Sequence, residues 1–374
     1  MGIGRFVYTP VLPFMEAGLG LTKAAAGLIA SANFLGYLLG ALAAASTVLP
    51  GGRRVWLLTA LAASALSTAA MGLASSLPAF LVLRFAGGVA SAFVLVFASA
   101  LVLDHLAAAG RSGLAALHFA GVGSGIALSA LLIAGLASVG GDWRVQWLAS
   151  GAVSLVALIL VLALIPHARE HSPPAAAPPG GRLDRRLLAL VIAYGLFGFG
   201  YVITATFISS IVRASPDLHP IEPVIWLVVG LTAAPSVALW TGIGKRLGDD
   251  RSFALACLVE AAGVAMSVLT TSMSAVVVAA ALLGGTIMGI TALGLVHARR
   301  LSTGDPRRTM AFMTASFGLG QMVGPSFAGF AYDLGGSFRA PTLAATAALI
   351  AAAVLVMLSR GRSRPDADSG VRVR

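Results

Sequence analysis

Four ionisable side chains stand out inside apolar stretches of this chain: Arg5, Arg84, His118 and Glu260. Such groups are expensive in a hydrocarbon setting and as a rule face a cavity or one another. Arg5 offers a fixed positive charge whose planar donors suit a carboxylate or phosphate. Read structurally, it would bind carbonyls or a neighbouring helix instead. Tyr8, three residues on, shares its helical face. Arg84 falls near the start of its stretch, where it can snorkel to the interface. His118, with an ordinary pKa near ~6.5, can carry a proton, although a lone histidine on an apolar face commonly bonds a backbone carbonyl. Glu260 is the one carboxylate deep in an apolar stretch and so the obvious protonation candidate on chemistry alone.

Uncharged polar groups add hydrogen-bonding capacity. Tyr194, Tyr201 and Thr204 supply hydroxyls, with the two tyrosines seven residues apart on one face. Asn33 and Tyr37, four apart, and Gln321 supply amide and phenol groups. Each is a candidate substrate contact, and each is also the kind of residue that holds two membrane helices together.

The elements that carry these residues are membrane helices. Hydrophobic residues make up 58% of the 374 and charged residues 10%, and the mean hydropathy is +0.93, far from a soluble domain. A helix needs about 20 apolar residues to cross the hydrocarbon core. Such blocks fall near 24 to 48, 55 to 75, 79 to 104, 113 to 137, 146 to 166, 187 to 212, 223 to 243, 252 to 272, 276 to 298, 308 to 331 and 340 to 359. That makes eleven spans plus an apolar fragment at 3 to 15.

The two halves repeat the same landmarks 195 to 197 residues apart. Gly2-x-Gly4-Arg5 returns as Gly198-x-Gly200-Tyr201, and Gly87-Gly88 as Gly284-Gly285. Arg111, Gly121-x-Gly123 and Gly140-Gly141-x-Trp143-Arg144 return as Arg308, Gly318-x-Gly320 and Gly335-Gly336-x-Phe338-Arg339. Pairing the spans by this offset makes the fragment at 3 to 15 the outer half of a first helix, with its inner half expected before Met1. A signal peptide fits poorly, because 1 to 15 lacks a basic n-region and a small-residue cleavage site.

If alternate loops are taken as cytoplasmic, 19 of the 25 Lys and Arg fall on that side and four (Lys23, Arg144, Arg213 and Arg339) on the other. The net charge of +11 is therefore mostly topology, and nucleic acid is not an expected partner. The C-terminus is expected in the cytoplasm, and the basic tail from Arg360 reads as disordered and positive-inside. The stretch 167 to 186, rich in His, Pro, Ala and Gly, reads as a cytoplasmic linker whose Pro174 and Pro178-Pro179 forbid a continuous helix. No segment reads as a soluble catalytic domain. The single Cys257 excludes an intrachain disulfide, and no CxxC, HExxH, P-loop or nucleophile elbow appears in its proper context. No enzyme, metal or cofactor is expected.

Leu81-x-x-Arg84-x-x-x-Gly88 and Gly320-x-x-x-Gly324-Pro325, the latter with a proline-free counterpart at Gly121-x-x-x-Gly125, resemble motifs of the major facilitator superfamily of secondary transporters. The likeness covers essentially the whole chain. Gly2-Ile3-Gly4-Arg5-Phe6-Val7-Tyr8-Thr9-Pro10, with Ser31-Ala32-Asn33-Phe34-Leu35-Gly36-Tyr37, is similar to the YbfB/YjiJ-type branch. One departure concerns the family's signature between helices two and three, which carries an Asp followed by Arg and Gly. Pro50-Gly51-Gly52-Arg53-Arg54 keeps only the basic end, and the second copy, Lys245-Arg246-Leu247-Gly248, has Lys in place of the acid.

The resemblance implies an all-α membrane protein of two six-helix bundles in parallel pseudo-repeat, 1–166 and 187–359, working by alternating access. It implies that Arg5 lines the central cavity and that Arg84 acts in binding or proton coupling. Gly121, Gly125, Gly320, Gly324 and Pro325 would lie where the halves rock. Glu260 would sit on a peripheral helix. The expected cargo is a small organic solute, anionic because Arg5, together with Arg84, makes the first-half cavity positive while no acid is deep in those spans apart from Asp104 at a cytoplasmic end. The expected partners are the bilayer, protons and that solute, with the protein a monomer. A drug or sugar exporter of the same fold, and a non-transporting membrane receptor or assembly protein, are the alternatives.

Overall fold

A computed structural model describes residues 1–45, 52–164, 184–302 and 306–360. Most of the expected linker, the tail at 361–374 and the Pro50-Gly51 part of the signature lie outside the described residues. Thirteen α-helices follow one another, with no strand among the described residues: α1 (Gly2–Phe6), α2 (Tyr8–Leu19), α3 (Lys23–Ala44), α4 (Arg53–Met71), α5 (Leu77–Ala108), α6 (Ala115–Ser138), α7 (Trp143–Leu164), α8 (Arg185–Ala214), α9 (Glu222–Leu247), α10 (Asp249–Leu269), α11 (Met273–Leu301), α12 (Pro306–Gly335) and α13 (Arg339–Arg360). Among the described residues, ten segments, including α9 with the short turn before it, are long and apolar enough to cross a membrane. The expected span at 308 to 331 exists as α12 but falls short on composition. Its inward face carries small and polar residues such as Thr309, Gln321 and Gly324, and its length of 30 residues is ample for a crossing.

The break between α1 and α2 follows from Pro10. Proline has no N–H to donate to the carbonyl four residues earlier and its ring crowds that position, which here is Phe6, the last residue of α1. At the far end α2 stops on Gly20, whose φ of +63° is a left-handed cap that suits glycine. Thr22 then starts α3 by accepting a hydrogen bond from the Ala25 N–H.

The repeat seen in the sequence is a repeat in space. In the first half α3 packs on α5, α4 on α5 and α4 on α7; in the second half α9 packs on α11, α10 on α11 and α10 on α13. The same relation holds across the halves, where α3 meets α12 and α9 meets α6. Individual contacts repeat too. A Cβ at Gly88 would collide with the Asn33 carbonyl, and one at Gly284 with the Val229 carbonyl. Each member of the second pair lies 196 residues after its counterpart, so in space Gly284 corresponds to Gly88 and not to Gly87, as the sequence pairing of the two Gly-Gly steps had it. The hydroxyl of Thr9 donates to the Ala205 carbonyl at 2.7 Å across the same offset of 196. Equivalent positions touch only beside the axis that relates them, so α2 and α8 flank the pseudo-two-fold.

The arginine-rich helix ends lie on one side of the bundle, and on the opposite, arginine-poor side the halves are sealed together. There the Asp333 carboxylate on α12 accepts from the Lys23 and Ala24 N–H groups at the start of α3, at 3.1 and 3.0 Å. Ser326 Oγ bonds Ser31 Oγ at 2.7 Å, and Gly27 fits directly against the Pro325 carbonyl. At the arginine-rich side a cavity of about 340 Å³ separates the end of α3 (Ala41, Leu42) from Arg299 on α11 and Met310 and Thr314 on α12.

Candidate functional site: a positive centre between the halves

Arg5 sits at the end of α1, 5% exposed. Its Nη2 donates to Gln321 Oε1 on α12 at 3.1 Å, across the interface between the halves. The guanidinium carbon lies 3.9 Å from the Tyr37 ring centre and 5.1 Å from that of Phe34, both on α3. Its Nε has no hydrogen-bond partner, and no carboxylate pairs with it among the described residues. A guanidinium held by aromatic faces and one amide keeps donors available for an anion.

Gln321 is fully buried and its amide nitrogen donates to the Tyr201 hydroxyl on α8. Tyr201 in turn belongs to an aromatic stack. Its ring lies 5.2 Å from Phe197 and 5.9 Å from Phe317, and Phe317 lies 4.8 Å from Tyr194. The Tyr194 hydroxyl donates to the Thr291 carbonyl on α11 at 3.2 Å. Arg5, Tyr37, Gln321, Tyr201 and, through the stack, Tyr194 therefore form one cluster drawn from α1, α3, α8 and α12.

Arg84 does not snorkel. It is 4% exposed because its terminal nitrogens turn inward, donating to the carbonyls of Gly4 and Arg5 at 3.0 and 3.1 Å. Tyr8 and Trp147 cover the guanidinium, their rings 5.1 and 5.7 Å away. Arg84 thus braces α1 just before the break that Pro10 causes, and so fixes the backbone from which Arg5 projects. Asn33 completes that brace by donating to the Arg84 carbonyl at 2.9 Å.

The remaining candidates lie apart. Tyr8 donates to the Ala26 carbonyl at 2.8 Å and joins α2 to α3. Thr204 is buried with no partner for its hydroxyl. His118 is in the first turn of α6, nearer the helix end than the sequence implied. It bonds Ser99 Oγ at 3.0 Å and borders a cavity of about 170 Å³ at the arginine-rich side. Glu260 is fully buried in α10, and neither of its oxygens has a hydrogen-bond partner.

The motif glycines divide by what they touch. Gly320 meets Gly195 and Phe199, and Gly324 meets Val202 and Phe199, so both set α12 on α8 within the second half. Gly125 meets Gly2 within the first half, while Gly121 meets nothing. The close contacts between halves are made instead by Gly27 with Pro325, Gly123 with Ala234, Gly230 with Ala127 and Gly318 with Leu38. Of the motif residues, only Pro325 stands directly on that boundary.

An acidic partner for the truncated signature exists in both halves. Arg53 Nη1 donates to Asp104 Oδ2 at 2.7 Å, tying the start of α4 to the end of α5. Arg300 Nη1 donates to Asp249 Oδ2 at 2.7 Å, tying the end of α11 to the start of α10. Counting 196 residues onward turns Arg53 into Asp249 and Asp104 into Arg300, so the same clamp is built twice with its charges exchanged. His297, missed in the sequence reading because it lies one residue inside a predicted span boundary, joins the second clamp through Nε2 to Asp250 Oδ1 at 2.6 Å. Arg186 reaches the other Asp250 oxygen at 3.0 Å.

This arrangement of helices has parallels among known proteins. A family model described as "Uncharacterised MFS-type transporter YbfB" matches residues 1–357. The "Uncharacterized MFS-type transporter YceJ" of Bacillus subtilis (strain 168) is 28% identical over 263 residues, 67% of this chain, which spans 62% of that relative's length. A protein of Agrobacterium vitis described as "Putative tartrate transporter" is 24% identical over 385 residues, covering 94% of this chain and 85% of that one. Among solved structures, a mutant of the nucleoside transporter NupG superposes with a TM-score of 0.74 at 13% identity, covering 96% of this chain and 97% of that one. A bacterial homolog of the human lysosomal transporter Spinster, inward-facing and unoccupied, superposes with a TM-score of 0.64 at 17% identity, over 96% and 92%. With a model matched over nearly its entire length, the chain belongs to the YbfB-type branch of the major facilitator transporters, multi-pass membrane proteins that move small molecules.

Proposed function

We propose that the protein moves a small organic anion by alternating access, with Arg5 as the residue that binds the negative group. The observation that carries this reading is the placement of Arg5. It lies between the halves, bonded to one amide, faced by Tyr37 and Phe34, and without a carboxylate partner among the described residues. Arg84 adds a second positive charge, held at the Gly4 and Arg5 carbonyls. Two guanidinium groups in a low-dielectric centre favour an anion, and solute binding near the midplane is what alternating access requires. A relative's description as a tartrate transporter, tartrate being a dicarboxylate, supports the same chemical class.

Positive residues keep to cytoplasmic loops, so the arginine-rich side is the cytoplasmic one and the C-terminus lies there, in the bacterial inner membrane. The sealed side is then external, and the structure corresponds to the state closed to the outside. Transport is coupled to protons and the working unit is a monomer. His118 and Glu260 are the proton-coupling candidates. His118 borders a cavity on the cytoplasmic side, and Glu260 is a buried acid near Thr286 whose replacement by Gln keeps its shape. The cargo's uncharged part packs against the stack of Tyr194, Phe197, Phe317 and Tyr201. That stack is also what favours the second reading, export of an amphiphilic drug or a sugar. Screening the purified protein for thermal stabilisation by a metabolite panel tests the class. Carboxylates should raise the unfolding temperature and their uncharged amides should not; stabilisation by sugars or cationic amphiphiles instead would select the second reading.

A further inference from the structure

A second cavity, of about 280 Å³, lies at the arginine-poor side, between α2 and α6 of the first half and α8 and α9 of the second. It shares no residue with the surroundings of Arg5. Its walls are mostly apolar, with Pro10, Phe14, Ile133 and Pro223 among them, and its polar end is built from Arg213, Glu222 and His219. Arg213 Nε donates to Glu222 Oε2 at 2.9 Å, and its guanidinium carbon lies 3.9 Å from the Phe14 ring centre. These contacts fix the guanidinium plane while its two terminal nitrogens bond no described group. A guanidinium held in this way presents a pair of parallel donors, the geometry that matches a carboxylate.

Two further side chains on the cavity wall have hydrogen-bonding capacity left over. Ser209 and Trp226 are each 1% exposed, and neither Ser209 Oγ nor Trp226 Nε1 has a partner. A serine inside a helix ordinarily turns back onto the carbonyl four residues earlier. For Ser209 that carbonyl belongs to Ala205, which accepts from Thr9 of the other half. Buried polar groups without partners are uncommon in folded proteins and call for an explanation. The unspent groups here are chiefly donors: two nitrogens of Arg213, the indole N–H and a hydroxyl.

We infer that this cavity is a second ligand site, distinct from the central one, which takes a small organic carboxylate. The carboxylate lies on the terminal nitrogens of Arg213, and a short apolar body lies against Pro10, Ile133 and Pro223. Because α2 and α6 form one wall and α8 and α9 the other, an occupant bridges the two halves at their sealed side. Position 17, the repeat counterpart of Arg213, is Ala17, so the site is built once and not twice.

The test uses the full-length protein in detergent at constant ionic strength, with tryptophan fluorescence followed during titration with butyrate and, separately, with uncharged butyramide. The inference predicts a saturable change with butyrate that is absent with butyramide and absent in Trp226→Phe. It predicts at least tenfold weaker binding in Arg213→Gln, and undiminished binding in Arg5→Gln. No saturable change in the wild type, an equal response to butyramide, or unchanged affinity in Arg213→Gln would overturn it. Loss of the response in Arg5→Gln would also overturn it, by assigning the signal to the central site. Should Arg213→Gln fail to fold, Arg213→Lys keeps the charge opposite Glu222 but loses the paired donors. Weakened binding there supports the site and unchanged binding refutes it.

Discussion

Arg5 and Tyr201 occupy equivalent positions in the two repeats, 196 residues apart, and both bond the side chain of one residue, Gln321. The amide accepts from the arginine through its oxygen and donates to the tyrosine through its nitrogen. A duplicated scaffold has thus acquired a positive charge at one of two matching positions and a neutral hydroxyl at the other, and has joined them. Breaking the junction while leaving the charge in place separates the two roles. Gln321→Leu removes both bonds and should raise the KM for the transported anion by about tenfold or more, since a hydrogen bond to a charged group contributes about 1.5–3 kcal/mol. Arg5→Gln should remove transport altogether. Equal losses in the two variants would show that Gln321, and not the charge, is what the solute needs.

Arg84 and Arg5 are both buried, but both terminal nitrogens of Arg84 are spent on the Gly4 and Arg5 carbonyls, whereas Arg5 bonds a side chain across the halves. Arg84→Ala should therefore act through structure. It should lower the unfolding temperature and the maximal transport rate while changing the KM less than Gln321→Leu does. Uptake kinetics alongside thermal unfolding in the same detergent check this. A large KM effect with wild-type stability would move Arg84 into the binding site.

The sealed side depends on a helix cap that crosses the interface. Asp333 accepts from two N–H groups at the first turn of α3, where a carboxylate is favoured both by hydrogen bonding and by the helix dipole. Asp333→Ala should weaken that closure by about 1 kcal/mol, a roughly fivefold shift in the balance of states. The readout is labelling of a Ser31→Cys reporter by a membrane-impermeant thiol reagent. The native Cys257 is fully buried and gives little background. Faster labelling in the Asp333→Ala background is expected; an unchanged rate would mean the cap does not hold the seal.

Gly27 and Gly324 test different boundaries. Any side chain at Gly27 strikes the Pro325 carbonyl across the halves, whereas one at Gly324 meets Val202 at 2.6 Å inside the second half. Gly27→Leu should abolish transport with membrane insertion and thermal stability near wild type, because it obstructs only the sealed state. Gly324→Leu should abolish transport and also lower stability, by roughly 1–3 kcal/mol through overpacking. Transport that survives Gly27→Leu would show that the halves need not meet there.

The first clamp should be weaker than the network around Asp250, the neighbour of the second clamp's Asp249. Asp104 is 72% exposed at its side chain, so its pair with Arg53 contributes about 0–1 kcal/mol. Asp250 is 12% exposed and serves His297 and Arg186 together, so Asp250→Ala should destabilise by on the order of 2 kcal/mol. Thermal unfolding of Asp104→Ala and Asp250→Ala gives the comparison, and similar effects would contradict it.

Much of this was legible in the residues alone. Membrane helices announce themselves by composition, and the eleven predicted spans match α3 to α13 because an apolar run of about 20 residues satisfies its own backbone in lipid only as a helix. The common offset near 196 placed Arg5 opposite Tyr201 before any coordinates did. The clamps were hidden because the family signature drew attention to Lys245, while the acid that completes the clamp stands four residues later at Asp249. Applying the same offset to Arg53 would have found it. Arg84 looked free to reach water because sequence position says nothing about a carbonyl 79 residues away. Gly121 and Gly123 lie two apart on different faces of α6, and only the packing decides that Gly123 meets the other half.

The most direct test of an anion carrier centred on Arg5 is uptake into proteoliposomes containing the wild type or Arg5→Gln, using tartrate and other small carboxylates together with their amides and a set of cationic amphiphiles. The account predicts uptake of at least one carboxylate, none of its amide, and at least a tenfold loss in Arg5→Gln at equal reconstitution. Transport of cations or neutral solutes but no carboxylate, or carboxylate uptake indifferent to the loss of Arg5, would contradict it.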